Sequence, residues 1–331
     1  MNTDMGITQG ILRGLRKTVM GSETPLKLPI IDFSKEDLEP GTVNWDSVRD
    51  DVHRAMEEFG CFEAVYDKVS LELHNAIFCA LEELFDLPTE IKIRNTSDKP
   101  YFGYMGPIPL IPNYEGMGID DALTLKDIQS FTNLMWPNGN APFCELTYSF
   151  SKRVSELDQM VKRMIFESLG IQKYYESHIE STNYLLRIMK YKGPDMNQTK
   201  LGILPHTDKS VLTILHQNQV KGLEVETRDG EWISVVPSAS SFIVMTGDAF
   251  LALSNGRLHC PRHRVTLGEK EARYSIGFFS FGKDIIQTPE ELVDEEHPLL
   301  FKPFDNVEFL RFYISEEGQK VESAIKAYCG V

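Results

Sequence analysis

Cysteine is scarce in this chain, whose 331 residues include only five. No two of them form a Cys-x-x-Cys motif, and they lie far apart at positions 61, 79, 144, 260 and 329. An odd number of scattered cysteines argues against a disulfide framework and against a zinc ribbon. We therefore expect free thiols and a reducing, cytoplasmic compartment.

Long apolar runs and an excess of positive charge are also absent. The apolar stretch over residues 241–253 is interrupted by Gly247 and Asp248, and it is shorter than the roughly 20 residues of a membrane-spanning helix. The 34 basic and 49 acidic residues give a net charge of −15, which repels nucleic-acid phosphates and anionic lipids. We expect neither a nucleic acid nor a membrane as a partner. No Gly-x-Gly-x-x-Gly motif follows a strand pattern, so a dinucleotide site is not indicated.

Apolar residues recur at helical spacing before about residue 180 and in short strand-like segments after it. The spacing predicts helices around residues 48–59, 73–84 and 154–165, with a strand at 61–66. Turn residues separate eight further segments that predict strands, at 184–191, 210–217, 222–227, 232–236, 241–247, 249–256, 263–267 and 273–281. Eight such strands are typical of a jelly roll, the double-stranded β-helix.

The predicted fold is mainly β, with a jelly-roll core and an N-terminal helical and mixed annex. We expect a flexible extension over residues 1–19, which lack the apolar core of a secretory signal. An N-terminal region over 20–180 should pack on a catalytic core over 181–303. Residues 304–331 should form a closing helix.

Two histidines and an aspartate have the spacing of metal ligands. His206 and Asp208 precede an apolar run with strand character, and side chains two apart on a strand share a face. His263 supplies a second imidazole. Two imidazoles and one carboxylate form a facial set that leaves positions on Fe(II) open for other ligands. His216 and His259 are the rival ligands, although the turn residues near His259 make a helical His-x-x-x-His pair improbable.

Arg273 and Ser275 follow ten and twelve positions after His263. On a strand they would share one face. A guanidinium can bind both oxygens of a carboxylate and a nearby hydroxyl can add a hydrogen bond, so the pair suits a small diacid.

These motifs together resemble those of the plant Fe(II)/2-oxoglutarate-dependent dioxygenases. That family has His-x-Asp, a distal His some fifty-odd residues later, and Arg-x-Ser shortly after; here His263 lies 55 positions after Asp208. The resemblance covers the chain from Leu28 to about Ala327. Three segments resemble the branch that contains glucosinolate side-chain dioxygenases and deoxypodophyllotoxin synthase, at residues 181–191, 255–265 and 294–304.

The resemblance implies roles for six residues. His206, Asp208 and His263 would bind Fe(II), Arg273 and Ser275 would bind the distal carboxylate of 2-oxoglutarate, and Tyr191 would add a hydrogen bond to this co-substrate. The chain departs from the family at Met189, where an Asn is usual.

The implied reaction consumes O2 and 2-oxoglutarate and releases succinate and CO2, with ascorbate as a supporting reductant. Hydroxylation, desaturation, O-demethylation and oxidative ring closure of a small plant specialised metabolite all remain open. A zinc hydrolase would use the same three metal ligands but would leave Arg273 and Ser275 unexplained. A jelly-roll binding protein without catalysis is the third alternative. We expect a monomer.

Four aromatic residues are candidates for the substrate pocket, although aromatic side chains are also common core residues. Tyr104 lies in a segment over residues 101–120 that is rich in glycine, proline and aromatic residues and has no clear period. The other three are Trp136, Phe279 and Phe281.

Overall fold

The computed structural model describes residues 26–193, 201–268 and 270–331, so the predicted extension over residues 1–19 lies outside it. Its strands, in chain order, are β1 Ile30–Asp32, β2 Cys61–Val65, β3 Tyr114–Ile119, β4 Thr182–Tyr191, β5 Leu201–His206, β6 Leu212–Gln217, β7 Leu223–Glu226, β8 Trp232–Ser234, β9 Ser241–Thr246, β10 His263–Thr266 and β11 Arg273–Gly282. A seven-stranded sheet has the order β1-β2-β9-β6-β11-β4-β3, and a four-stranded sheet has the order β5-β10-β7-β8.

In chain order, the helices lie between these strands and after the last of them. They are α1 Val43–Glu58, α2 Leu71–Phe85, α3 Thr89–Lys92, α4 Leu125–Met135, α5 Ala141–Ser168, α6 Tyr175–Glu180, α7 Asp248–Leu253, α8 Asn306–Ile314 and α9 Ala324–Cys329. Short 3-10 turns occupy Gln172–Tyr174 and Glu290–Leu292. In the described part of the chain, no helix combines the length and apolar character needed to cross a membrane.

The two faces of the seven-stranded sheet pack against different layers. On β4, Leu186 and Ile188 belong to an apolar cluster that also contains residues of α1, α2 and α5. Met189 and Tyr191, on the opposite face, belong to a second cluster with residues of the four-stranded sheet, such as Val265. Helices therefore cover one face and the smaller sheet covers the other. This arrangement confirms the predicted jelly roll with flanking helices.

The three predicted helices correspond to α1, α2 and α5, because their apolar spacing reflects real buried faces. A side-chain cap starts each one, and Gly60 follows the end of α1 with a positive φ of 69°. A Cβ at Gly60 would lie 2.2 Å from the carbonyl oxygen of His259, so this glycine also allows the chain near the site to approach α1 closely.

Some strand predictions were wrong. The segment over 249–256, predicted as a strand, begins as helix α7. Residues 249–253 are all apolar and all but Leu251 are buried, so neither a helical nor a strand period was visible. Strand β5 was not predicted, because Gly202 and Pro205 interrupt its pattern. Residues 304–331, predicted to form one closing helix, contain α8 and α9 with a turn between them.

A pair of buried histidines joins α2 to the seven-stranded sheet. His74 Nδ1 and His216 Nε2 share a hydrogen bond of 2.8 Å, and His216 Nδ1 lies 3.1 Å from the carbonyl oxygen of Ser241. The rings of Phe150 and Phe242 pack beside His216. Burial, followed by the neighbouring His74, lowers the pKa of His216 to about 3. This packing accounts for both histidines as structural residues.

We expect this pair to make the protein less stable in acid. The ordinary pKa of 6.5 applies to His216 in the unfolded chain, so the unfolded state gains a proton below that pH while the folded state does not. The stabilising contribution is fully present above about pH 6.5 and is lost as the pH falls toward 3. At pH 5 the loss should reach about 2 kcal/mol.

Urea unfolding at pH 7 and pH 5 measures this effect. Between pH 7 and pH 5, the free energy of unfolding of the wild type should fall by about 2 kcal/mol more than that of His216→Gln. Phe150→Leu removes packing but keeps both imidazoles, so it should show the wild-type pH dependence. Equal losses in the wild type and His216→Gln would contradict the expectation.

Candidate active site

Two neighbouring strands bring His206 and His263 together. His206 ends β5 and His263 begins β10, and the antiparallel register of these strands makes the two residues direct cross-strand partners. Their ring centroids are 4.3 Å apart. Asp208 follows β5, and its Oδ1 lies 3.7 Å from His206 Nε2 and 3.6 Å from His263 Nε2.

The prediction that His206 and Asp208 share one face of a strand was wrong, although the two side chains do converge. Asp208 lies in the turn between β5 and β6, where the chain passes from the four-stranded to the seven-stranded sheet. Its carboxylate nevertheless reaches both histidines from this connection. A spacing of two residues fits a turn as well as a strand.

The cluster has the donor set and the free atoms that a metal ion requires. The potential ligand atoms of His206, Asp208 and His263 all lie within 4.8 Å of one another. His206 Nδ1 is 2.8 Å from the carbonyl oxygen of Leu204 and donates to it, which leaves Nε2 as a lone-pair donor. Asp208 Oδ2 and His263 Nδ1 are buried without hydrogen-bond partners. Burial, and then the neighbouring His263, lowers the pKa of His206, so its neutral, metal-binding form is favoured.

The rival ligands do not belong to this cluster. Across residues 26–193, 201–268 and 270–331, it is the one group of three or more potential ligands that lie close enough to hold a metal ion. His216 is engaged with His74 and Ser241 in the layer between the sheet and the helices. His259 borders the nearby cavity without joining the cluster.

A buried ion pair holds the turn that carries Asp208. Lys209 Nζ lies 2.8 Å from Asp248 Oδ2, and Thr207 Oγ1 donates to the same oxygen at 3.1 Å. The amide of Asp248 donates to the carbonyl oxygen of Asp208 at 2.8 Å. A Cβ at Gly247 would lie 2.0 Å from the carbonyl oxygen of Ser210, so only glycine fits there. This support could not be predicted from the sequence, because Lys209 and Asp248 are 39 positions apart.

Arg273 is a fully enclosed cation on β11. Its Nη1 donates to Ser275 Oγ at 3.2 Å and its Nη2 donates to Gln217 Oε1 at 2.6 Å, while Nε has no partner and is buried. Burial lowers the pKa of this guanidinium. A Cβ at Gly222 would lie 2.9 Å from Arg273 Cδ, so the glycine leaves room for the arginine. The predicted pairing of Arg273 with Ser275 on one strand face agrees with this geometry.

Tyr191 lies directly opposite Arg273 on β4. The guanidinium carbon of Arg273 is 4.9 Å from the centroid of the Tyr191 ring. The Tyr191 hydroxyl donates to Met189 Sδ at 3.6 Å, so the residue that departs from the family pattern contacts the tyrosine expected to bind the co-substrate. Burial raises the pKa of Tyr191, which keeps its hydroxyl protonated and able to donate.

A cavity of about 1330 Å³ opens beside the histidine and aspartate cluster. His206 and Asp208 line it, and so does Met189, the cross-strand partner of Ser275. The residues predicted to bind the co-substrate are not among the lining residues; these are Arg273, Ser275 and Tyr191. Residues of α8, α9 and the turn between them also line it, including Tyr313. These C-terminal residues could not be predicted from the sequence, since they belong to no recognisable motif.

The four aromatic candidates fall into two groups. Phe279 and Phe281 line the cavity, on the same face of β11 as Ser275. Tyr104 and Trp136 are not among the lining residues. The Tyr104 hydroxyl donates to Glu115 at 2.8 Å, and Trp136 packs on Phe143 with ring centroids 4.8 Å apart. Their surroundings are therefore those of packing residues.

Comparison with known proteins identifies the class to which this site belongs. The profile of the 2OG-Fe(II) oxygenase superfamily matches residues 166–282, which include all six residues of the predicted metal and co-substrate sites. A second profile, described as the N-terminal region of the non-haem dioxygenase in morphine synthesis, matches residues 28–110. The chain belongs to the 2-oxoglutarate- and Fe(II)-dependent oxygenases.

Similar proteins support this assignment along almost the whole chain. A probable 2-oxoglutarate-dependent dioxygenase from Arabidopsis thaliana, AOP1.2, is 50% identical over 311 residues, which cover 91% of this chain and 95% of that protein. The 2-oxoglutarate complex of AtDAO1, the dioxygenase for auxin oxidation 1 from Arabidopsis thaliana, has a TM-score of 0.75 and 30% identity, covering 82% of this chain and 100% of the other. JOX2, solved with 2OG, Fe and JA, has a TM-score of 0.76 and 25% identity, covering 92% of this chain and 90% of the other.

The protein is therefore an Fe(II)- and 2-oxoglutarate-dependent dioxygenase that uses O2, and the family predicted from its motifs is confirmed. The donor set fits the metal, because two imidazoles and a carboxylate are the facial set of non-haem iron oxygenases. The comparisons give no support to a zinc hydrolase or to a binding protein without catalysis.

Proposed function

We propose that His206, Asp208 and His263 hold the catalytic Fe(II). The convergence of these three side chains beside a large cavity, which His206 and Asp208 line, carries the proposal. We further propose that Arg273, Ser275 and Tyr191 hold 2-oxoglutarate. Arg273 supports this assignment because it is a buried cation with no carboxylate partner among the described residues and with a free Nε.

Each group has a defined task in the oxidation. Iron and 2-oxoglutarate, when bound, supply an oxidant from O2, with release of succinate and CO2. Asp208 provides the negative charge that offsets part of the metal charge, and the two neutral imidazoles complete the set without adding charge. Arg273 and Ser275 orient a carboxylate in a buried setting, where charge-assisted hydrogen bonds are strong. Phe279 and Phe281 offer apolar surface to a substrate and limit the entry of water.

We propose a small plant specialised metabolite as the primary substrate, because AOP1.2 and AtDAO1, two relatives that match most of this chain, are plant dioxygenases. Hydroxylation, desaturation, O-demethylation and oxidative ring closure need the same iron and co-substrate and differ in how a substrate carbon is positioned. All five cysteines are free, which supports a reducing, cytoplasmic compartment. We propose that the protein acts as a monomer.

Anaerobic titration of the apo-protein tests the metal and co-substrate sites. Fe(II) followed by 2-oxoglutarate should produce the weak visible charge-transfer band of an iron-chelated keto acid. His216→Gln keeps the three proposed ligands and should retain the band, whereas His263→Ala should lose it. Absence of the band from a wild-type protein that binds metal would overturn the proposed assignment of the site.

Replacing Arg273 with methionine should weaken 2-oxoglutarate binding about 10- to 100-fold, because one charge-assisted anchor is lost. Fe(II) binding alone should change little, since Arg273 is not one of the proposed ligands. Titration of the visible band with 2-oxoglutarate measures the binding constant without a substrate. Arg264→Met is the matched control: Arg264 is on β10 beside His263, but its Nε pairs with Glu224 at 2.7 Å. Unchanged 2-oxoglutarate affinity in Arg273→Met would contradict the proposed anchor.

A further inference from the structure

A second buried arginine, Arg187 on β4, has no acidic partner. It is 5% exposed, and no carboxylate in the described ranges forms an ion pair with it. Its Nε donates to the Tyr114 hydroxyl at 3.1 Å, and its Nη1 donates to the carbonyl oxygens of Tyr101 and Gly103. Its Nη2 is buried and has no hydrogen-bond partner. A buried guanidinium without a counter-ion is costly unless a ligand supplies one.

Glycines on both neighbouring strands allow other groups to pack close to Arg187. Its cross-strand neighbours are Gly118 on β3 and Gly277 on β11, and the positions that their Cβ atoms would take are filled by the carbonyl oxygen of Phe102 and the ring of Phe279. A Cβ at Gly116 would lie 2.4 Å from the Tyr114 hydroxyl and 3.1 Å from Nη2, so glycine is required where Tyr114 and Arg187 meet. Arg187 is also one of the residues that line the large cavity. Three glycines thus surround a cavity-lining cation that still has a donor nitrogen free.

This cation is separate from the proposed co-substrate anchor. Arg273 pairs with Tyr191, whereas Arg187 is four residues earlier on the same strand. At the rise of a β-strand, four residues correspond to about 13 Å. The two guanidinium groups also have different partners: Arg187 donates to Tyr114, Tyr101 and Gly103, whereas Arg273 donates to Gln217 and Ser275.

The surroundings of Arg187 combine its charge with apolar walls. Leu185, two residues away on the same face of β4, belongs to a small buried cluster that is completed by Phe102, Phe281 and Leu310. Leu185, Phe281 and Leu310 also line the cavity. A ligand bound here would meet one positive group beside aliphatic and aromatic side chains.

We propose that Arg187 is a specificity-determining residue that binds an acidic group, a carboxylate or sulfate, on an otherwise apolar primary substrate. The inference rests on the proposed function, because this substrate would share the cavity with iron and 2-oxoglutarate. An acidic group bound beside the guanidinium gives it its missing counter-ion and fixes one end of the substrate. The reacting carbon is then placed by the length and shape of the apolar part. A neutral substrate would leave the buried charge without compensation.

Calorimetric binding to the anaerobic enzyme, loaded with Fe(II) and saturated with 2-oxoglutarate, tests this proposal. The probes are phenylacetate, 3-phenylpropionate and 4-phenylbutyrate, each compared with its methyl ester, and phenyl sulfate compared with phenol. At least one acid should bind the wild type about 10- to 100-fold more tightly than its neutral counterpart. A constant visible band during the titration shows that the acid has not displaced 2-oxoglutarate.

Arg187→Met should remove the preference for acids and leave the affinity for the neutral probes nearly unchanged. Arg187→Lys serves if the methionine variant does not fold, and it should reduce the preference because an ammonium lacks the planar fork. Arg264→Met should keep the wild-type preference.

The proposal is overturned if no acid binds the wild type more tightly than its neutral counterpart, including the case in which nothing binds. It is also overturned if either Arg187 variant keeps the wild-type preference. Failure of the proposed iron and 2-oxoglutarate sites would instead appear as loss of the visible band from the wild type, before any probe is added.

Discussion

Asp208→Ala should lower Fe(II) affinity and turnover by more than about 100-fold, since loss of a group that only supports a ligand already costs about 10- to 100-fold. Asp208 is the one carboxylate in the cluster and lies within 3.7 Å of both histidines. Without it, two neutral imidazoles remain and the charge of the metal is not offset. His206→Ala and His263→Ala should have effects of similar size.

Iron content after anaerobic loading and 2-oxoglutarate-dependent succinate formation measure the Asp208 effect. Circular dichroism should show that the variant remains folded, because Asp208 is in a turn and not in a strand. Asp50→Ala is a suitable control, since Asp50 is a surface residue paired only with Arg49. An Asp208→Ala protein that binds iron and turns over like the wild type would rule out the ligand assignment.

Asp158→Ala should reduce the free energy of unfolding by about 3–5 kcal/mol, as expected when one member of a buried ion pair is removed. Asp158 and Lys162 are one turn apart on α5, both are fully buried, and Oδ2 and Nζ are 2.9 Å apart. The Tyr184 hydroxyl donates to the same carboxylate oxygen at 2.8 Å. Removing the carboxylate leaves a buried ammonium with no counter-ion.

Denaturant unfolding of Asp158→Ala should show a lower midpoint with an unchanged slope. The double variant Asp158→Leu/Lys162→Met should recover much of the loss, because it removes both charges and keeps the volume. Glu316→Ala breaks an exposed pair with Lys320, which is also four residues away in sequence, and should have little effect. A loss in Asp158→Ala no larger than that in Glu316→Ala would show that the buried pair does not stabilise the fold.

The sequence predicted the functional cluster better than it predicted the local backbone. The His-x-Asp spacing, the distal histidine and the Arg-x-Ser motif selected His206, Asp208 and His263 only when taken together with the resemblance to the dioxygenase family. They did not show that Asp208 lies in a turn. Nor did they reveal the Lys209–Asp248 pair, since contact between residues distant in sequence depends on the packing of the β5–β6 connection against the start of α7.

Only part of the cavity lining could be predicted, because strand alternation locates a residue only relative to a recognised motif. Alternation along β11 places Phe279 and Phe281 on the face that carries Arg273 and Ser275, and the same rule on β4 relates Arg187 to Tyr191. Tyr104 and Trp136 had no such relation to a motif, and they pack elsewhere. Aromatic character alone does not distinguish a pocket residue from a core residue.

The passage of the chain between the two sheets determines which changes the Arg-x-Ser motif can tolerate. β10 belongs to the four-stranded sheet and β11 to the seven-stranded sheet, so the number of residues between Thr266 and Arg273 is not set by strand pairing. One extra residue there would lengthen a connection. One extra residue inside β11, before Ser275, would reverse the inward and outward positions and direct one member of the motif toward the helices. The Arg-x-Ser motif thus requires its two residues to lie on the same face of one strand, and it does not require a fixed number of residues between His263 and Arg273.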